Sequence, residues 1–236
     1  GICDYLTGLY AMWAALMGVY HAQKTGEGDV IDVSQYESCL RVQGYGPLMY
    51  TTTGEQLKRT GNKEATYAGI DVFECKDGNY CVVQVSGRPA AKAIAALLGL
   101  DDEEHFIEGR PTLNGTPQGE RLDGAIKAFC LERTPDEVET QLKAIGVACA
   151  PINNYEMLMS NPHVIARNDF VEWYDEASEQ TLKGVAVLPP VKNNPGQIWR
   201  GAPKLGQDNE DILEELGYSN EEIEAMYAEG KIGKAE

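Results

Sequence analysis

The hydrophobic pattern is densest at the start of the chain. Leu6, Leu9, Tyr10, Trp13, Leu16, Met17 and Tyr20 recur at helical three-and-four spacing, and Ala11, Ala14, Ala15, Gly18 and Ala22 keep the remaining faces thin. This pattern predicts an apolar helix over 5–23 suited to packing on every side. Asp4 stands at its entrance, where a carboxylate can accept from backbone N–H groups that lack intrahelical partners, so spacing alone reads it as a structural N-cap. Lys24 followed by Gly26 supplies the expected stop.

Beyond it, Val30-Ile31-Asp32-Val33-Ser34 reads as a short strand and Gln35 to about Met49 as a second helix. Gly26-Glu27-Gly28 does not read as a phosphate loop, because it follows a helix and opens a strand, the reverse of the dinucleotide arrangement. The polar stretch 51–63 reads as a linker with a domain boundary near residue 60. Two β-rich runs, Tyr67 to Cys75 and Tyr80 to Val85, flank Lys76-Asp77-Gly78-Asn79 and predict a hairpin. Ser86-Gly87-Arg88-Pro89 then reads as a strand-to-helix loop before an Ala-rich helix over 90–98.

Residues 101–118 read as surface loop, followed by helices over about 119–132 and 135–145, the second opened by Thr134-Pro135-Asp136-Glu137 as a capping box. Val147 to Pro151 is a short strand, and Asn153 with Glu156 caps a brief helix before Asn161-Pro162. Strands over 170–174 and 182–188 precede a proline-bearing extended arm, and two capped helices, opened by Asp208 and by Ser219, close the chain. The order is α/β followed by α+β.

Composition narrows the function classes. The formal net charge is −17, with 20 basic against 37 acidic side chains, which disfavours a nucleic-acid backbone or an anionic membrane as partner. No uninterrupted apolar stretch is expected to span a membrane, and a cytoplasmic location is expected. The six cysteines form no C-x-x-C pair and sit mostly in apolar runs, so free buried thiols are expected. Three histidines, His21, His105 and His163, would have to converge to build a metal site, and none is expected.

The usual hydrolase, P-loop and zincin signatures are missing. Cys3 or Cys149 paired with a histidine is a conceivable nucleophile, against the simpler reading of core cysteine. Glu156, His163 and Asp169 could serve acid–base chemistry or merely cap and solvate. The chain begins Gly1-Ile2-Cys3-Asp4 with no initiator methionine, and a preceding N-terminal portion is expected.

A joint set of motifs goes further. Asp4-x-x-Thr7-Gly8-Leu9, Lys24-Thr25-Gly26-Glu27-Gly28-x-x-Ile31-Asp32-Val33-Ser34, Arg59-Thr60-Gly61-Asn62, Gly146-Val147-x-x-x-Pro151, Asn161-Pro162-His163-Val164-x-Ala166-Arg167 and Trp199-Arg200-Gly201-Ala202-Pro203-x-Leu205-Gly206-x-Asp208-Asn209 resemble, in order, the family III CoA-transferases. The arm Asn193-Asn194-Pro195 with Ile198 to Pro203 most resembles the L-carnitine (crotonobetainyl-CoA) branch and its relatives acting on 2-hydroxy acids or bile acids.

The resemblance implies part of a nucleotide-fold large domain (1–60), a small α+β domain (61–165) and a returning C-terminal arm with helices (166–236). It implies an interlocked homodimer, and acyl-CoA plus a small carboxylic acid as substrates. No permanently bound cofactor is implied, and the CoA-binding residues would lie mostly upstream of Gly1. It makes Asp4 the nucleophile, passing through a mixed anhydride and an aspartyl-CoA thioester. Ser86, Gly87 and Arg88 stand where the family carries a glycine-rich lid over the nucleophile, with one glycine instead of a run, so Arg88 could instead meet a carboxylate or phosphate. A 2-methylacyl-CoA racemase and a non-catalytic part of a larger assembly are the alternatives.

Overall fold

The computed structural model describes residues 1–233, so residues 234–236 of the segment assigned to 166–236 lie outside the described residues. The chain divides into two compact units, Gly1–Pro151 and Ile152–Glu236.

In the first unit, α1 (Ile2–Thr25) ends on Gly26, whose left-handed backbone (φ 79°) lets its N–H reach the Ala22 carbonyl. Its N-cap is Gly1, so Asp4 is not the cap expected from spacing but a residue of the first turn. No residue of α1 is buried. Trp13, Leu16 and Tyr20 each keep more than half of their surface in solvent, so the helix expected in the middle of a fold has its apolar faces open here. The expectation about membrane spans is also corrected: by length and composition α1 is long and apolar enough to cross one, a test that the core helix of a soluble protein passes equally.

The run Val30 to Ser34 is extended but pairs with nothing among the described residues, and Val30 is 93% exposed, so the predicted strand is absent for want of a partner. The single helix expected over 35–49 is two, α2 (Gln35–Arg41) and α3 (Gly46–Thr53), separated by a turn in which Gly44 takes φ 64°. Helix α3 runs past Met49 to Thr53, where Gly54 at φ 77° ends it, and the hydroxyls of Thr51, Thr52 and Thr53 donate back to the carbonyls of Leu48 and Met49.

The core lies in residues 68–149. Strands β1 (Ile70–Glu74) and β2 (Tyr80–Gln84) form the predicted hairpin, with Asp77 accepting from the Asn79 N–H and Gly78 at φ 79°. Then come α4 (Gly87–Leu97), α5 (Glu104–Glu108), α6 (Pro117–Leu131) and α7 (Pro135–Ala144), and β3 (Ala148–Pro151) returns antiparallel to β2 in the order β1-β2-β3.

Alternation sends Cys81 and Val83 of β2 to the inner face, where they meet Ile126 and Cys130 of α6 and Val138 and Leu142 of α7 in one buried cluster. The capping box from Thr134 to Glu137 forms as predicted and starts α7 at the point where Val138 and Leu142 face that cluster.

The second unit opens with α8 (Tyr155–Ser160) and α9 (Pro162–Arg167). Asn154, and not the predicted Asn153, caps α8 by accepting from the Met157 N–H at 2.9 Å. Strands β4 (Phe170–Asp175) and β5 (Gln180–Val185) pair as a second antiparallel hairpin, and the chain closes with α10 (Asn209–Glu215) and α11 (Asn220–Ala228).

Buried Asp175 accepts from the Ser178 hydroxyl at 2.6 Å, the Ser178 N–H at 2.9 Å and the Ala202 N–H at 2.8 Å, which pins the arm to the hairpin. Gly201 is required there because a Cβ would meet the Asp175 carboxylate. Asp208 stands at the N-cap of α10 as expected, but its side chain makes no capping bond: its two oxygens take the two ends of the Arg200 guanidinium, both at 2.8 Å. The Ser219–Glu222 capping box on α11 forms as predicted.

Leu142→Ala, at a fully buried position, is expected to cost about 2–5 kcal/mol in urea unfolding. The second unit should show an acid limb. Hydrogen bonds from the Ser178 hydroxyl, then the Ser178 and Ala202 N–H groups, hold the Asp175 carboxyl below its ordinary value of 3.8. A carboxyl depressed in the folded state adds stability above its unfolded value, and that contribution is lost as pH falls through the folded one. Melting curves from pH 7 down to about pH 2 should show that loss below about pH 4, and Asp175→Asn should melt lower near neutrality with a flatter acid limb.

Candidate active site

Asp4 is exposed in the first turn of α1, and its Oδ1 accepts from Gln35 Nε2 at 2.6 Å. Gln35 reaches it because α2 starts there: the Ser34 hydroxyl accepts from the Glu37 N–H and fixes the first turn of that helix. Residues 35 and 39 lie one helical turn apart on the same face of α2. Cys39 accordingly meets Cys3, the neighbour of Asp4, with the sulfurs 3.0 Å apart. The result is a small cluster of Cys3, Asp4, Gln35 and Cys39 that joins the start of α1 to α2. One neutral amide orients the carboxylate through Oδ1, and no hydrogen bond to Oδ2 is made among the described residues.

Ser86, Gly87 and Arg88 are elsewhere. Helix α4 begins at Gly87, three residues before the expected start at Ala90, since a proline is tolerated in a first turn. Ser86 occupies the N-cap position without a side-chain capping bond. These three residues line a cavity of about 560 Å³ together with Glu108, Arg110 and Thr112.

Arg88 Nε donates to the Glu108 carbonyl at 2.6 Å, so the loop is held against the end of α5. Gly109, at φ 64°, leaves room for this contact, because a Cβ would sit 2.7 Å from the Arg88 carbonyl oxygen. Arg110 pairs with Glu108 at 2.6 Å and Glu104 at 3.3 Å, and its guanidinium holds the Glu108 carboxyl below the usual range. Asp4 is not among the residues lining this cavity.

The three histidines are dispersed over α1, α5 and α9, and His105 is engaged with the Thr112 hydroxyl at 3.0 Å. Among the described residues no cluster of three or more His, Cys, Asp or Glu side chains is arranged to hold a metal ion. Of the acid–base candidates, Asp169 faces Arg167 at 3.6 Å.

The cysteines are free as expected but fall into two groups: Cys75, Cys81, Cys130 and Cys149 are the expected buried thiols, whereas Cys3 and Cys39 are not buried. Burial pushes the thiols of Cys81, Cys130 (to about 12) and Cys149 (to about 11) upward, so Cys149 is a core residue without nucleophilic character. Cys3 is exposed and its sulfur neighbour is Cys39, which is half-buried.

Gln35, the proximity of Cys3 to Cys39, and the contribution of α5 to the cavity were not anticipated from the sequence. Residues 101–118 carry no strong helical period, and a contact spanning 31 positions leaves no local trace.

CoA-transferase family III is matched over residues 1–209. The chain belongs to that family. A bile acid CoA-transferase, BaiK, from Clostridium scindens is 36% identical over 97% of this chain and 53% of its own length. The chain therefore spans about half the length of that curated relative. Among solved structures, a CAIB/BAIF family protein from Brucella suis superimposes with a TM-score of 0.71 at 22% identity, covering 91% of this chain and 55% of that one. The protein Rv3272 from Mycobacterium tuberculosis gives a TM-score of 0.63 at 17% identity over 84% of this chain and 51% of its own. These likenesses support the mixed α/β fold.

Brief iodoacetamide treatment at neutral pH is expected to alkylate the exposed Cys3 first and the half-buried Cys39 more slowly, and to spare Cys75, Cys81, Cys130 and Cys149 until the chain is unfolded. Peptide mass spectrometry of native and urea-treated protein checks this.

Proposed function

We propose that this chain carries the nucleophile of a CoA-transferase that moves CoA between an acyl-CoA thioester and a free carboxylic acid, with Asp4 as that nucleophile. What carries the reading is the pairing of family membership with the position of Asp4: a single carboxylate at the motif position, in the first turn of a long helix, oriented by the Gln35 amide. The Asp4 carboxylate attacks the donor thioester to give a mixed anhydride and CoA thiolate. The thiolate then attacks the aspartyl carbonyl, giving an aspartyl-CoA thioester and the freed donor acid. The acceptor carboxylate repeats the two steps in reverse.

Carboxylates and a thiolate are already anionic near neutrality, so the exchange needs no general base. Its demands are oxyanion stabilisation and exclusion of water from the anhydride. Ser86, Gly87 and Arg88 are the loop proposed to close over the acyl group, and Arg88 is its cationic member.

The relative named as a bile acid CoA-transferase favours a bile acid as the acceptor. The carnitine branch suggested by the arm finds no counterpart among the relatives described above. The open apolar faces along the body of α1 fit a protein in which further chain and a second subunit cover them, as in an interlocked homodimer acting in the cytoplasm, while the first turn with Cys3 and Asp4 stays open to small molecules.

Incubation with acyl-CoA followed by hydroxylamine should convert Asp4 to its hydroxamate, read by peptide mass spectrometry. Asp4→Asn should lower exchange of CoA between acyl-CoA and acid by about 10⁴-fold or more. A fully active protein with unmodified Asp4 sinks the proposal. Parallel assays with a bile acid and with carnitine as acceptor decide the substrate class.

A further inference from the structure

We infer that Cys3 and Cys39 form a thiol modification site, a reversible disulfide that ties the start of α1 to α2 directly beside Asp4. Their sulfurs are 3.0 Å apart, and a disulfide bond is about 2.05 Å, so closure asks for roughly 1 Å of approach. The pair is unlike the other cysteines of the chain. Cys75, Cys81, Cys130 and Cys149 are buried among α6, α7 and the three-stranded sheet, where a dissolved oxidant does not reach them. Cys3 is exposed, and Cys39 stands one turn along α2 from Gln35, the residue that holds Asp4.

The chemistry balances with a small-molecule disulfide, RSSR, of the glutathione class. The exposed Cys3 thiolate attacks one sulfur of RSSR, forming Cys3–S–S–R and releasing one thiolate. Cys39, as its thiolate, then attacks the Cys3 sulfur and expels the second. The two cysteines lose two protons and two electrons in all, and RSSR leaves as two RSH.

Exposure assigns the order of the two steps: Cys3 is open to RSSR, while Cys39 is half-buried behind it with its sulfur 3.0 Å away. Cys39 donates its S–H to Cys3, and that hydrogen bond is the largest influence raising the Cys39 thiol above its ordinary value. Once Cys3 is in the mixed disulfide its sulfur accepts poorly, and Cys39 is freed to act as the resolving thiol. In a reducing compartment the bond would form only under oxidant load, as regulatory disulfides do.

The consequence for Asp4 rests on the reading of that residue as the nucleophile. Cys3 and Asp4 are adjacent in one helical turn, so drawing the Cys3 sulfur toward α2 shifts the carboxylate and its contact with Gln35. A displacement near 1 Å at a reacting group can cost about 100-fold in rate.

The test treats the protein with glutathione disulfide, blocks free thiols with N-ethylmaleimide and maps the peptides. The expected product is the Cys3 peptide linked to the Cys39 peptide, released by dithiothreitol. In Cys39→Ser the expected product is instead a stable glutathione adduct on Cys3. Recovery of both cysteines as maleimide adducts, a mixed disulfide on Cys3 that persists in the unsubstituted protein, or linkage to another cysteine overturns the inference.

Hydroxamate formation at Asp4 is followed in the same samples and is expected to fall at least tenfold on oxidation and to recover with dithiothreitol, while the double variant Cys3→Ser/Cys39→Ser, which can take neither the link nor an adduct, does not respond to glutathione disulfide. Undiminished labelling of the linked form overturns the regulatory part. Absence of labelling in the reduced protein overturns the transferase reading instead, while the linked peptide is scored independently of it.

Discussion

The packing of α6 and α7 against one face of the β1-β2-β3 sheet is the interaction on which residues 68–149 of the first unit depend. Val83, Cys81, Ile126, Val138 and Leu142 are removed from water almost completely, and each buried aliphatic side chain contributes on the order of 1.5–3 kcal/mol. That face fixes where β2 ends, and the end of β2 fixes where Ser86, Gly87 and Arg88 emerge. The cavity beside Arg88 is thus a by-product of core packing, bounded on its far side by α5 and by a glycine that admits the Arg88 carbonyl.

Helix α1 obeys the opposite constraint. It is as apolar as a core element, yet none of its residues is buried. Its stability here rests on local backbone hydrogen bonds, a well-formed C-cap at Gly26 and contact with α2. The few polar contacts at its N-terminal end then carry disproportionate weight. Gln35 to Asp4 and Cys39 to Cys3 both link its first turn to α2, so the orientation of the proposed nucleophile and the state of two thiols are set by the same short helix.

The second unit shows how a charged group can be structural where a motif suggests chemistry. Arg200 and Asp208 lie in the stretch that carries the family resemblance, but they satisfy one another as a two-point ion pair, and Arg200 also lies over the Trp199 ring at 4.6 Å. Asp175 gathers three donors and holds the arm to the β4–β5 hairpin. These carboxylates are committed to shape, unlike Asp4, whose Oδ2 takes no hydrogen bond among the described residues.

Local signals were legible without coordinates: the stop of α1 at Gly26, the Asp77-Gly78 hairpin, the Thr134 and Ser219 capping boxes and the ordered motifs of family III CoA-transferases. Each is encoded within a few residues, by steric permission at glycine or by a side chain reaching its own backbone. The sequence also named Asp4, though as a cap by spacing and as a nucleophile by resemblance. Tertiary structure alone decided that Val30 to Ser34 has no strand partner, that Asp208 turns from its helix to Arg200, and that Gln35 and Cys39 come to Asp4 and Cys3. Pairing, burial and contacts across 31 or 36 positions depend on which surfaces meet, and a periodicity along the chain carries no record of that.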